Sequence, residues 1–467
     1  MTPVIAIFDI GKTNKKLFLF NERYEIVWQK SEQFEESTDD DGYPCEDLSK
    51  LSQWISTSLD QVLALPDFTI RALNFSTYGA SLVYLGEANQ PVGYLYNYLK
   101  PFPDSVRTQF YQQYGTEATM CLQTASPALD SLNSGLMLYR IKHDKPQLFS
   151  QIRYALHLPQ YVSFLITGQV ASDVTSIGCH TMLWDFSKNQ YHSWVSSEGL
   201  DRLLGPLSTS DSVQDISWQD HLLKVGVGLH DSSAALIPYL ASFREPFVLI
   251  STGTWCISLN PFNESPLTVE ELQYDCLCFL HYKGKPVKAS RLFAGYEHEQ
   301  QVKRLAEHFQ TDLNYYQTVA FDPDIIQQLR NHRAGGDFHE VKAPPLQESL
   351  FRHRNLADFN TYEEAYHQLI LDIIAQQLIS TNLVLANSMN GQSAVKRIFV
   401  DGGFSKNPIY MNLLAAAFPE LEVFAASVAQ ATALGAALAI HRHWNAHSIP
   451  SDCIALQYYA PSQQMVL

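Results

Sequence analysis

Apolar and polar positions along the chain follow two rhythms, and these predict where strands and helices lie. Residues 4–8 and 17–20 are apolar runs on either side of the polar stretch DIGKTNKK, and they read as two strands joined by a tight turn. Residues 25–29 and 70–75 read as further strands. Leu48, Leu51, Ile55, Leu59, Val62 and Leu63 recur at helical spacing, so 48–64 is expected to be an amphipathic helix. LPQYVSFLITG, residues 158–168, predicts a helix stopped by Gly168.

The second half repeats this opening. FVLISTGTWCISL, 247–259, is again strand, small polar turn, strand. The best-marked helix is predicted at about 362–388, with Thr361 as its cap and Glu364 closing a capping box. RIFVDGGFSKNPIYMNLLAAAF, 397–418, reads as strand, glycine turn and helix, with Ser405 capping a helix that starts near Asn407–Pro408. LEVFAASVAQATALGAALAI, 421–440, reads as strand, loop and Ala/Gly-rich helix. The chain has 467 residues, and single cores stop growing near about 250–300 residues. Two α/β domains facing each other across a cleft are therefore expected, at 1–243 and 244–467.

Composition narrows the partners. Acids outnumber bases 48 to 32, a net charge of −16, and the sequence shows no basic patch. Such a chain repels phosphate backbones, so nucleic acid is not an expected partner, whereas a nucleotide needs only a local pocket. The seven cysteines are scattered and contain no zinc-spaced pair, which fits a reducing, cytoplasmic setting. Asp9 interrupts the first apolar run too early for a signal peptide, and no apolar run is long enough to span a membrane. The assembly stays open, a homodimer included.

The turns carry the candidate chemistry. Gly-Lys-Thr at 11–13 is not a P-loop: position 6 is Ala where that motif needs Gly, and the following LFLF is strand-like. A tight turn instead aims backbone N–H groups outward and accepts an anion. Thr13 and Asn14 add donors, Lys12 and Lys16 add positive charge, and Asp9 offers a carboxylate to a hydrated Mg²⁺. A solvated surface hairpin is the competing reading. The turn at Thr252, Gly253 and Thr254 matches the first, so one turn per half is placed to grip a shared polyphosphate. At DGGFSKN, 401–407, Gly402 and Gly403 permit close ligand approach, although an ordinary strand-to-helix turn uses the same residues. In VGVGLHDSSAALIPYL, 225–240, Asp231 reads either as a helix N-cap or as a general base for a hydroxyl, and the two roles are compatible. His230 beside it has three uses: hydrogen-bonding a substrate, orienting Asp231, or packing.

In this order, DIGKTNKK, LPQYVSFLITGQVASDVTSIG, GLHDSSAAL, STGTW and DGGFSKNP resemble the FGGY carbohydrate kinases, a branch of the actin/hexokinase/Hsp70 superfamily. The resemblance runs from Val4 to about His441. It implies two ribonuclease-H-like domains with ATP between them and sugar deep in the cleft. Carried over position by position, it makes Asp231 the base and puts Gly11, Lys12, Thr13, Asn14, Lys16, Gly253 and Thr254 at phosphate. It puts Gly402, Gly403 and Asn407 at the adenosine and Asp9 near Mg²⁺.

His-Asp-Ser at 230–232 is similar to the pattern in L-fuculokinases and L-rhamnulokinases, which act on 6-deoxyketohexoses. The segment 75–104 departs from that pattern. Ser81 stands where such members tend to have Asp, Tyr98 and Pro-Phe-Pro replace a Trp-x-x-x-Arg, and 131–140 lacks the usual Lys. Ser81, Tyr98, His180 and His230 are the candidate sugar contacts, with a structural histidine as the competing reading of His180. The expected activity is ATP-dependent phosphorylation of a ketose such as L-fuculose or L-rhamnulose. A pentulose or polyol kinase, a non-catalytic nucleotide- and sugar-binding regulator, and a water-using phosphatase or ATPase are the alternatives.

Overall fold

The computed structural model describes residues 1–334, 350–385, 395–428 and 430–461. β1 (Thr2–Ile10) and β2 (Asn14–Asn21) pair antiparallel from Val4↔Asn21 to Ile10↔Lys15, and β2 continues onto β3 (Ile26–Gln33). α1 (Leu48–Leu63) is capped by Asp47, which accepts the N–H groups of Ser49 and Lys50, and it buries Leu51, Ile55, Leu59 and Val62 in the first core. β4 (Phe68–Thr77) returns parallel to β1. α2 (Leu158–Thr167) stops at Gly168, whose φ of 67° suits glycine. The hairpin of β5 (Val213–Trp218) and β6 (His221–Gly226) then joins β4, giving the order β5-β6-β4-β1-β2-β3. Leu229–His230 adds a short parallel pairing to the end of β4 before α3 (Asp231–Ser242) begins.

The second sheet repeats the plan. β7 (Phe247–Thr252) and β8 (Cys256–Asn260) form the hairpin, extended by β9 (Cys276–Leu280) and β10 (Pro286–Leu292). After α4 (Ala294–Phe309) and α5 (Tyr362–Val384), β11 (Arg397–Gly402) lies parallel to β7. α6 (Pro408–Ala417), β12 (Glu422–Ser427), α7 (Ala431–Ala439) and β13 (Ala455–Tyr459) complete the order β9-β10-β8-β7-β11-β12-β13. The meander β1-β2-β3 corresponds to β7-β8-β10, and the parallel strand β4 corresponds to β11. This duplication is the pair of α/β domains that the turns imply.

The two halves exchange helices. α3 sends Leu236 and Tyr239 into the core under the second sheet, against Phe247, Leu249 and Phe399. α7 lays Ala433, Ala436 and Ala437 against Ile5, Ile7 and Phe18 of the first sheet. The helices touch backbone to backbone: a Cβ on Gly435 would stand 1.9 Å from the Ala234 carbonyl oxygen. Buried Asn74 of β4 donates to the Ala436 carbonyl at 2.8 Å, fixing α7 to the first sheet.

Three local expectations change. Thr361 does accept the Glu364 N–H, but the Glu364 carboxylate accepts from Asn360 rather than from Thr361, so only half of a capping box forms. The helix ends at Val384, and 386–388 lie outside the described residues. Ser405 donates to the Gly402 carbonyl, and Asn407 caps α6 instead, because a 3₁₀ turn at Phe404–Lys406 delays the helix. Asp231 is the first residue of α3 rather than its cap, because His230 stays extended and pairs with Thr77. The seven cysteines are free thiols. Among the described residues no helix is long and apolar enough to cross a membrane.

Candidate active site

Two carboxylates meet where the ends of β1 and β4 face α3. Asp231 opens α3, and its Oδ1 accepts the Ser232 N–H at 2.6 Å and the Ser232 hydroxyl at 3.3 Å. About a third of its side chain (32%) stays exposed. Burial pushes the Asp231 carboxyl up to about 6, against those two bonds. Asp9 lies near the end of β1, opposite Lys16 on β2 and Ser76 on β4. Burial pushes it up to about 6, the bond from the Thr432 hydroxyl (2.9 Å) pulls down, the negative charge of Asp231 pushes up, and Lys16 pulls down. The two carboxyls therefore share one field. Asp9 and the Thr432 hydroxyl offer hard oxygens, and a dication beside them relieves the repulsion between Asp9 and Asp231. That set fits a hydrated Mg²⁺, which needs only one or two carboxylates.

The first turn closes through the Gly11 N–H to the Asn14 carbonyl at 2.9 Å, with Thr13 exposed at its tip. Lys12 pairs with Glu36 at 2.7 Å, the Asn14 side chain accepts from Gln33, and Lys16 reaches across to Gln430 of the second half at 3.2 Å. Sequence reasoning passed over Lys15. It is buried beneath the turn, pairs with buried Glu46 at 2.5 Å and donates to the Lys12 carbonyl at 3.1 Å. Glu46 also accepts the Tyr78 hydroxyl at 2.7 Å. A buried ion pair thus holds the turn from below.

The second and third turns are stitched together. The Gly403 N–H donates to the Thr252 carbonyl at 2.9 Å, and the Phe404 N–H to the Thr252 hydroxyl at 3.0 Å. Gly402 has φ 88°, and a Cβ there would fall 1.9 Å from the Thr252 carbonyl oxygen. Its glycine is thus required by the backbone. A Cβ at Gly403 or Gly253 would meet nothing within 4 Å. Both glycines line a cavity of about 650 Å³, together with Asn407. Asn407 Nδ2 donates to the Tyr366 hydroxyl at 2.8 Å, and that hydroxyl lies 2.9 Å from His298 Nε2 on α4. Burial pulls His298 down to about 4, so its ring is neutral. Among the described residues the lining belongs wholly to the second half, and Gly11–Asn14 and Lys16 do not contribute to it. The Thr254 carbonyl is taken by the Tyr296 N–H at 3.0 Å.

Histidines gather on the far side of Asp231. His230 is buried, with Nε2 3.2 Å from Asp231 Oδ1 and 3.6 Å from Cys179 Sγ. The His180 ring stands perpendicular to it, centroids 6.2 Å apart, and donates from Nδ1 to the Leu132 carbonyl at 3.3 Å. Tyr98 packs against Tyr78 at 6.0 Å, and its phenol is pushed up by burial and by the charge of Asp231. Tyr98, His180 and His230 are therefore assembled around Asp231. Ser81 is buried, and its carbonyl accepts the Leu158 N–H at 3.1 Å, which anchors α2. Cys179 and His157 were not anticipated. His157 contacts Ser134 at 3.0 Å and is pulled down to about 3 by burial. The His-Asp pair at 230–231 names one histidine, while the others arrive from distant segments.

Three family profiles match consecutive parts of the chain. The N-terminal domain of the FGGY family of carbohydrate kinases matches residues 4–202, and two descriptions of the family's C-terminal domain match 244–330 and 365–443. Rhamnulokinases from Halalkalibacterium halodurans and Mannheimia succiniciproducens are each 22% identical, over 275 and 263 residues. The matches span 56% and 54% of this chain and 56% and 52% of those proteins, about half the length of the curated relatives. Among solved structures, a carbohydrate kinase from Novosphingobium aromaticivorans superposes with a TM-score of 0.79 at 21% identity, covering 99% of this chain and 95% of that one. A ligand-bound xylulose kinase from Lactobacillus acidophilus gives 0.77 at 16% identity, with the same coverage. These likenesses establish the two-domain actin/hexokinase-like fold.

Proposed function

The chain belongs to the FGGY family of carbohydrate kinases, and from that premise we propose that it transfers the γ-phosphoryl group of ATP to a hydroxyl of a ketose. The observation that carries this reading is Asp231, a carboxyl at a helix N-terminus whose proton affinity burial sets near neutrality. At pH 7 it is mostly ionised and still basic enough to take a proton. The sugar oxygen forms a bond to the γ-phosphorus, its proton passes to Asp231, and the bond to the bridging oxygen breaks to release ADP. His230 holds Asp231 from the buried side. The backbone of Gly11–Asn14, Lys16, and the Gly253–Thr254 turn meet the developing phosphate charge. Gly403 and Asn407 take the adenosine, with Gly402 shaping the turn beneath it. Mg²⁺ held by Asp9 supplies further charge neutralisation when bound.

For the sugar we favour a 6-deoxyketohexose such as L-fuculose or L-rhamnulose, with Tyr98, His180, His230 and Ser81 as its surroundings. The rhamnulokinase relatives support this choice. The xylulose kinase among the similar folds keeps a pentulose or polyol as the second reading. We place the enzyme in the cytoplasm, with lobes 1–243 and 244–467.

The test is ADP release from Mg²⁺-ATP across L-fuculose, L-rhamnulose, the xyluloses, the ribuloses and glycerol. Stimulation by one deoxyketohexose above all others is expected. ATP binding with flat release across the panel would indicate a regulator, and sugar-independent release a hydrolase.

A further inference from the structure

We propose that Cys179, His180 and His230 form a binding site for one zinc-class divalent cation at the inner end of the cleft, and that the cation, once bound, occupies the space in front of Asp231. The donor set differs in kind from the oxygen donors around Asp9. Sulfur and imidazole nitrogen select zinc-class ions over Mg²⁺. One ligand atom from each of the three residues lies within 4.8 Å of the other two. Tetrahedral zinc, with Zn–S near 2.3 Å and Zn–N near 2.0–2.1 Å, sets a sulfur and a nitrogen ligand roughly 3.6 Å apart. Cys179 Sγ and His230 Nε2 are already 3.6 Å apart.

The surroundings suit a ligand set. His180 gives its Nδ1–H to the Leu132 carbonyl, which orients the ring and leaves the Nε2 lone pair for a metal. His230 is 4% exposed, and its Nδ1 has no partner among the described residues, so it can carry the ring proton when Nε2 is metal-bound. Burial keeps both imidazoles neutral at pH 7. Cys179 is buried as a thiol, and it must release its proton to solvent as the S–metal bond forms. The dication, one thiolate and the adjacent Asp231 carboxylate then sum to zero charge, which removes the main objection to a buried ion. The nearby cation Arg291 is held by a two-bond pair with Asp275. Three protein ligands leave a fourth position for a water, and Asp231 Oδ1, 3.2 Å from the same His230 Nε2, is placed to accept a hydrogen bond from it. A bound ion would thus exclude a sugar from this end of the cleft and engage the base.

Co²⁺ titrated into the metal-free full chain, without oxygen, reads the site optically and independently of any kinase activity. Binding of one equivalent is expected, with intense tetrahedral d–d bands and a thiolate-to-cobalt charge-transfer band, all displaced by Zn²⁺. Cys179→Ala should abolish the charge-transfer band and His180→Gln should weaken binding at least tenfold, while Cys121→Ser leaves both unchanged. Circular dichroism confirms that each variant is folded. Weak octahedral spectra, or a charge-transfer band that survives in Cys179→Ala, would overturn the proposal. In a second arm, one equivalent of Zn²⁺ should suppress sugar-dependent ADP release in excess Mg²⁺-ATP, and a chelator should restore it. Zinc-insensitive turnover would remove the inhibitory consequence, while absent turnover with the optical bands intact would count against the kinase reading alone.

Discussion

Asp231 is held between opposing influences: burial raises its proton affinity while the Ser232 N–H and hydroxyl lower it. Asp231→Asn should retain ATP binding by calorimetry and lose about 10²–10⁴-fold in turnover. In the native enzyme kcat/KM should fall as pH drops through about 6, since only the ionised carboxylate accepts the proton; Asp9 titrates in the same range and shares that limb. Stability has the opposite sign. Folded carboxyls near 6 bind protons that unfolded ones, at 3.8, have lost. These groups therefore cost stability as pH rises from about 4 to 6. Asp231→Asn is expected to melt above the native chain at pH 7.5, with the gain gone at pH 4, in a series of thermal melts. The adjacent glycines should separate cleanly. Gly403→Val points into open space, so it should fold and lose at least tenfold in ATP affinity, whereas Gly402→Ala forces a left-handed residue against Thr252 and should lower the melting temperature. The helix start at Asp231 and the glycine turn at 402–403 were legible because turn chemistry and helix starts are local. Lys15 was not, since in sequence it is indistinguishable from Lys12 and Lys16, and only the placement of Glu46 beneath the turn makes it a buried cation.

At the scale of elements, period alone recovered both hairpins, the helix at 48–63 and the stop at Gly168. What period does not specify is which strand lies beside which: the parallel pairing of β4 with β1 and of β11 with β7 depends on crossovers whose contacts are distant in sequence. The same distance hid the support of the cavity, where the Tyr366 hydroxyl of α5 bonds both His298 of α4 and Asn407, two of the lining residues. Cap positions moved by two residues at Asn407 because the 3₁₀ turn before it has no strong sequence mark. The second turn makes its own prediction. Its Gly253 N–H is committed to the Trp255 carbonyl at 2.8 Å, which fixes the loop and leaves the Thr254 side chain as the variable part. Thr254→Ala should weaken ATP more than adenosine in parallel binding titrations, and an equal loss for both would remove Thr254 from the phosphate.

Across the whole molecule, the lobes are joined by more than a linker. Asp9 to Thr432 and Lys16 to Gln430 cross the cleft, and α3 and α7 each serve the opposite sheet. The tightest point is Gly435 against Ala234. Gly435→Val would drive a branched side chain into a carbonyl and separate the helices, so soluble yield and melting temperature should both fall sharply, by more than a typical surface change. The exchange also has a consequence for biosynthesis. The front lobe leaves the ribosome first, yet the strip of Ile5, Ile7 and Phe18 is covered by a helix that ends at residue 439. Its greasy side must stay uncovered while nearly all the remaining chain is translated, so the earliest-made half is among the last to mature and is the natural target for a holding chaperone.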